Sequence, residues 1–251
     1  MHLDFQWWMA PLLLSAGFLS GICNVMAGGG SLFVVPVLIA FFDLPSAVAN
    51  GTNRVGLLVQ NITAVLGFKT KKIGDIRISL LFSLPAILGA IAGAMIAIDI
   101  ADHLFKKILS IVMLLVLCLI LLNPKRTESV SSPLSFKRTL ATCVAFFFVG
   151  LYGGFIQIGV GFIILLVMSL IAKTDLVSGN SHKVFVVGIY TFAAVVVFAM
   201  ESKIDWPIAF ILSIGNGLGG WYGSRLAMAG GEKWIRRSEE RRVGKECRSR
   251  W

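Results

Sequence analysis

Seven runs of apolar residues, each long enough or nearly so to cross a lipid bilayer, dominate this chain at 5–27, 47–68, 78–98, 104–122, 140–171, 176–200 and 206–229. A helix needs about 20 apolar residues to traverse the hydrocarbon, and only helices or closed barrels satisfy their backbone there. The alternation of barrel strands is absent, so the expected fold is all-α and polytopic. Composition agrees, since 57% of the 251 residues are hydrophobic and 14% are charged, far from soluble usage. Residues 1–6 carry Asp4 and no Lys or Arg, which predicts a retained first helix rather than a cleaved signal.

The net charge is +10, but the cations gather in loops at 69–77 and 125–138, where the positive-inside rule places them. No basic stripe lies on a folded face, so the bilayer, and not nucleic acid, is the expected partner. With every run counted as a crossing, Lys69, Lys71, Lys72, Arg77, Lys125, Arg126, Lys137, Arg138 and Lys203 share one side. These nine oppose six, Lys106, Lys107, Lys173, Lys233, Arg236 and Arg237, which favours a cytoplasmic N-terminus. Cys23, Cys118 and Cys143 stand singly in apolar runs without metal-ligand spacing, so neither metal, cofactor nor disulfide is expected. A homo-oligomer is compatible with the sequence and is not specified by it.

A shift of about 130 positions brings the two halves into register. Residues 17–21 face 150–154, Thr52-Asn-Arg-Val55 faces Ser181-His-Lys-Val184, and Gly89 and Gly93 face Gly219 and Gly223. The expectation is a first transmembrane repeat at 1–122 with four helices, the first broken at Gly28–Gly30. A polar loop at 123–138 then leads to a second repeat at 139–237 with three helices. Such duplication is common in secondary transporters, whose sites lie between the repeats. Four crossings per repeat make the halves parallel; a glycine break that splits the first segment into two passages inverts them. Residues 238–251 hold eight charges in fourteen positions and no helical face. They read as a non-native tail, with the eighth helix missing.

Two cations stand inside apolar runs, Arg54 within 47–68 and Lys183 within 176–200, at matching points of the repeat. A charge at the bilayer centre costs roughly 2.5–3.5 kcal/mol on insertion scales, so it has a partner or a task. No Asp or Glu lies mid-run to neutralise either one. Asn50, Asn53, Arg54 and Asn61 share a broad face of their helix, bordered by Gln60, while Asn180, Lys183 and Tyr190 form a similar face. His182 is the mid-helix group that titrates near neutral pH and the candidate for proton coupling, unless it belongs to a solvated helix start.

Gly28, Gly29 and Gly30 interrupt an apolar run, which argues for unwound backbone lining a cavity or for close helix packing. Ser31 is positioned to cap the helix that follows, whose N–H groups would attract an anion. Gln157 and Asn24 occupy similar places near the glycine breaks, the second of which, Gly159-Val-Gly161, is the weaker. No Ser-His-Asp set, HExxH or P-loop occurs, so neither a hydrolase nor an ATP-driven pump is expected. The binding residues expected for a small anionic substrate are Gly28, Gly29, Gly30, Ser31, Asn53, Arg54, Asn61, Gln157, Lys183 and Tyr190.

Gly28-Gly-Gly30 with Pro36 and Leu38, Gly51-Thr-Asn-Arg54, the segment from Lys183 to Thr191, and Gly219-Gly-Trp-Tyr-Gly-Ser-Arg-Leu226 resemble the TauE/SafE family of sulfite exporters. The resemblance runs from about Leu12 to Arg237. It implies an eight-helix permease of two four-helix repeats in the bacterial cytoplasmic membrane. It also implies sulfur-containing anions such as sulfite, sulfoacetate or related organosulfonates. A carboxylate carrier is the alternative within the class, and a membrane scaffold or assembly factor the alternative outside it.

Overall fold

The computed structural model describes residues 8–26, 28–69, 76–122, 135–172 and 176–248. Most of the joining loop, residues 123–134, therefore lies outside the described residues, as do residues 1–7 and 249–251. The described residues form α-helices and no strand: α1 (Met9–Met26), α2 (Ser31–Phe41), α3 (Ser46–Lys69), α4 (Ile76–Asp99) and α5 (Asp102–Leu122) come first. They are followed by α6 (Phe136–Phe155), α7 (Val160–Val167) with a π-helical turn at Met168–Ala172, α8 (Leu176–Met200) and α9 (Trp206–Arg248). Among the described residues four segments are long and apolar enough to cross a membrane: α1, α4, α6 and Ser178–Met200 of α8.

Two of the apolar runs are bent back on themselves. Trp8, just before α1, lies 6.3 Å ring to ring from Phe42, just after α2. Met9 and Leu13 share an apolar cluster with Val34, Val35 and Leu38, so α2 returns along α1. Phe146 of α6 likewise clusters with Ile164, Met168 and Ala172, which brings α7 and its π turn back along α6. The run 140–171, expected as one helix, is thus two, and the Gly159 break is as complete as the one at Gly28. Apolar residues flank that second turn, which is why hydrophobicity alone does not reveal it.

The halves are interleaved. Gly17 and Gly21 of α1 abut Leu212, Asn216 and Gly220 of α9 in rising order, so these helices run parallel. Ala86 and Ala90 of α4 abut Gly150 and Gly154 of α6 in the same way. Contacts of Gly51, Gly56 and Gly67 with Lys203, Asn216 and Ser224 make α3 parallel to α9. Between the centres, Gly51 and Arg54 of α3 meet Phe198 of α8, whereas Asn61 meets Gly188. The order reverses, so α3 and α8 are antiparallel. Small residues allow these close approaches, since a Cβ on Gly21 would sit 2.7 Å from Asn216 O.

These contacts also revise the register. Gly21 meets Asn216 O as Gly150 meets Ala86 O, an offset of 129 for the glycines (150 minus 21) and 130 for their partners (216 minus 86). Residues 17–21 therefore correspond to 146–150, one helical turn from the alignment that glycine matching suggests. The tail differs as well, because α9 continues as one helix through Arg248 rather than stopping near Ala229. Its 43 residues reach about 64 Å at 1.5 Å per residue, twice the hydrocarbon thickness.

Candidate functional site

Where α1 and α6 end inside the protein, their last carbonyls lack intrahelical partners and carry the negative end of the helix dipole. Arg54 on α3, fully buried, answers this at α6. Its Nη1 donates to Gly153 O at 3.0 Å and to Gln157 Oε1 at 2.9 Å, and its Nη2 donates to Gly154 O at 2.5 Å. The guanidinium carbon lies 4.9 Å from the Phe198 ring centre, a favourable cation–π distance. Lys183 on α8 does the same at α1, donating to Asn24 O at 3.1 Å and Val25 O at 2.8 Å. Lys183 lies 129 positions after Arg54, and Gly153 and Gly154 lie 129 after Asn24 and Val25. Each cation of one half thus caps the broken helix of the other.

The two breaks meet. A Cβ on Gly28 would overlap Gly161 Cα, and one on Gly161 would overlap Gly28 Cα. Gly28 has φ 90 and Gly159 φ 70, conformations that favour glycine. The glycines therefore serve close packing at this contact. Gln157 holds φ 64 without being glycine, a strained state kept by its surroundings. Its Nε2 donates to Thr191 Oγ1 at 2.9 Å while its Oε1 receives Arg54.

The remaining expected residues divide. Ser31 is not a cap: Gly30 holds the N-cap position, Ser31 opens α2, and Ser31 Oγ has no partner. A small residue in the helical region satisfies that turn without a side-chain acceptor. Asn61 Nδ2 is taken by Leu57 O at 2.7 Å. Asn53 and the Tyr190 hydroxyl are buried with no hydrogen-bond partner, and Tyr190 lies against Gly153, beside the Arg54 cap. His182 is buried, not at a solvated helix start, and its Nδ1 lies 2.7 Å from Ser79 Oγ. Arg54, Gln157 and Tyr190 gather at the end of α6, whereas Lys183 and the 28–30 turn gather at the end of α1. Sequence reasoning passed over Ser20, Thr191 and Asn216. A lone amide in the apolar run 206–229 was the available signal for the last of these.

A family model described as sulfite exporter TauE/SafE matches residues 13–238. The chain belongs to the TauE/SafE family. A probable membrane transporter protein of Haemophilus influenzae is 27% identical over 229 residues, covering 91% of this chain and 89% of that protein. The probable membrane transporter protein YfcA of Escherichia coli is 27% identical over 232 residues, 91% of this chain and 86% of its own. A probable membrane transporter protein of a Sinorhizobium species is 25% identical over 237 residues, 93% and 88% of the two chains. No solved structure matches. As a TauE/SafE member with these relatives, the chain is a membrane transporter for a small-molecule substrate.

Proposed function

We propose that this transporter moves small oxyanions of sulfur, such as sulfite, sulfoacetate or related organosulfonates, as a secondary exporter. It would do so as a multi-pass protein of the bacterial inner membrane. The observation that carries the reading is electrostatic. Two half-helices begin at touching glycine turns, and helix N-termini present N–H groups and positive potential. The opposing negative ends, on α1 and α6, are already neutralised by Lys183 and Arg54. Among the described residues no Asp or Glu is buried, so the centre keeps a net positive field that favours an anion.

In this reading Gly29 and Gly30 with Ser31 supply backbone and hydroxyl donors, the Gly28 N–H being taken by Cys23 O, and Asn53 and Tyr190 offer polar atoms that are free to bind. Arg54 and Lys183 act mainly through charge; Gln157 is engaged by Arg54 and Thr191, and Asn61 by the Leu57 carbonyl, rather than by the ligand. The antiparallel α3 and α8 support inverted halves, whose rocking would alternate access. Engagement of both cations by backbone carbonyls also favours a second reading, a non-transporting membrane scaffold. Proteoliposomes separate the two. The transporter moves labelled sulfite or sulfoacetate, and Arg54→Gln removes at least nine-tenths of the flux. Flux of a carboxylate alone would reassign the substrate, and no flux of any anion would leave the scaffold.

A further inference from the structure

We infer a set of anion-binding donors at the α1–α3–α9 junction, formed by Ser20, Asn53, Gln60 and Asn216; this rests on the oxyanion reading above and adds Ser20, Gln60 and Asn216 to it. All four side chains are buried, with exposures of 0% for Ser20, Gln60 and Asn216 and 1% for Asn53. The Ser20 hydroxyl, the Gln60 Nε2 and both amide atoms of Asn53 and Asn216 have no hydrogen-bond partner. Buried polar atoms without partners are rare because each loses its water and gains nothing. Several at one helix junction point to a ligand that completes them.

The placement is consistent. Asn216 Nδ2 lies over Gly56, 2.6 Å from where a Cβ would stand, and its backbone touches Gly17 and Gly21 of α1. Asn53 and Gln60 lie three positions before and four after Gly56, on the same side of α3 and about 10 Å apart along its axis. Ser20 follows the α1 stripe of Gly17 and Gly21. Gln60 is tied to Asn24, whose Nδ2 donates to Gln60 Oε1 at 3.3 Å, and Asn24 O receives Lys183. The adjacent ammonium decides the sign of the ligand. A cation would be repelled, whereas an anion gains both the N–H donors and the field. Neutral amides suit this task because they bind oxygen atoms without an ion pair to break on release.

The cluster occurs in one half. At the corresponding positions stand Val149, His182, Ile189 and Ala86, and His182 lies against Ser79. The ligand therefore sits off the line between the halves, on the α1–α3–α9 side.

The test uses the full chain in proteoliposomes with labelled sulfite. Asn216→Leu and Gln60→Leu should each raise the half-saturating concentration about tenfold, the worth of one good hydrogen bond to a charge. Melting of Asn216→Leu in detergent should be unchanged or raised, because an apolar side chain of similar size replaces an unpaired amide, whereas Gln60→Leu also gives up the hydrogen bond from Asn24. If a leucine variant does not fold, Ser20→Ala and Asn216→Ser give the same reading. Wild-type sulfite flux with an unchanged half-saturation in Asn216→Leu would overturn the cluster and leave the transporter intact. Loss in Asn216→Leu of a sodium dependence alone would make it a cation site and also overturn the proposal. Absence of anion flux in the wild type would overturn the oxyanion reading and this inference with it.

Discussion

Arg54 and Lys183 occupy matching positions and do the same work by different chemistry. The planar guanidinium forks across Gly153, Gly154 and Gln157, while the ammonium reaches two successive carbonyls as a point charge. Arg54→Lys should therefore be a damaging exchange. It leaves buried carbonyls without a donor and should lower stability by about 1–3 kcal/mol, read by thermal unfolding in detergent. An unchanged transition would mean the carbonyls find other partners. His182 contacts Ser79 in a buried setting. If it couples protons, His182→Asn should flatten the pH dependence of sulfite flux between pH 5.5 and 8; an unaltered profile removes it from that role. The presence of both cations was legible from sequence, because a charge inside an apolar run stands out. Their partners were not, since backbone carbonyls leave no mark in composition.

At the scale of elements, two broken helices depend on backbone that nothing larger than glycine can occupy. Gly161→Ala places a methyl group into the Gly28 backbone, so it should unfold the tip contact and cost more than about 3 kcal/mol, at the upper end of overpacking. Thermal melting and flux should fall together. The second break, at Gly159-Val-Gly161, reads as the weaker one in the sequence because Ile156 and Ile158 keep its hydropathy high. Asp102, ahead of the apolar run that begins at Leu104, joins α3 to α5. Its Oδ1 accepts from Ser46 N at 2.7 Å and its Oδ2 pairs with Lys106 at 2.7 Å. Hydrogen bonds from Lys106 and Ser46 hold its carboxyl down to about 2. The folded value lies below the unfolded one near 4, so this contribution is complete above about pH 4 and disappears as pH falls through about 2. Asp102→Ala should lower the melting temperature at pH 7, and the gap should narrow from pH 5 to pH 3. A gap of constant size over that range would show that the carboxylate charge is not involved.

For the whole molecule, the returning hairpins change which loops lie together. With α1 and α2 entering and leaving on one side, the start of α1 and the α8–α9 turn lie opposite the end of α3 and the start of α4. That end of α3 and α4 carries Lys69 and Arg77, and the start of α6 on the same side adds Lys137 and Arg138. The positive-inside rule then predicts these on the cytoplasmic side and the start of α1 outside, the reverse of the orientation expected by counting runs as crossings. In intact cells an impermeant thiol reagent should label Glu201→Cys and spare Arg77→Cys, in a background without the native cysteines. The opposite pattern would sink the hairpin topology.

Sequence by itself determined that this chain is helical, apolar enough for a bilayer, and equipped with two interior cations, because each of these is a property of residue type and spacing. It also carried the family. Only the tertiary structure decided that two runs turn back, that the glycines of the two turns touch, and that each cation serves the other half's helix end. Those are contacts between segments some 100 to 160 positions apart, set by how helices pack and where carbonyls remain unpaired. Neither hydropathy nor periodicity along one helix encodes them.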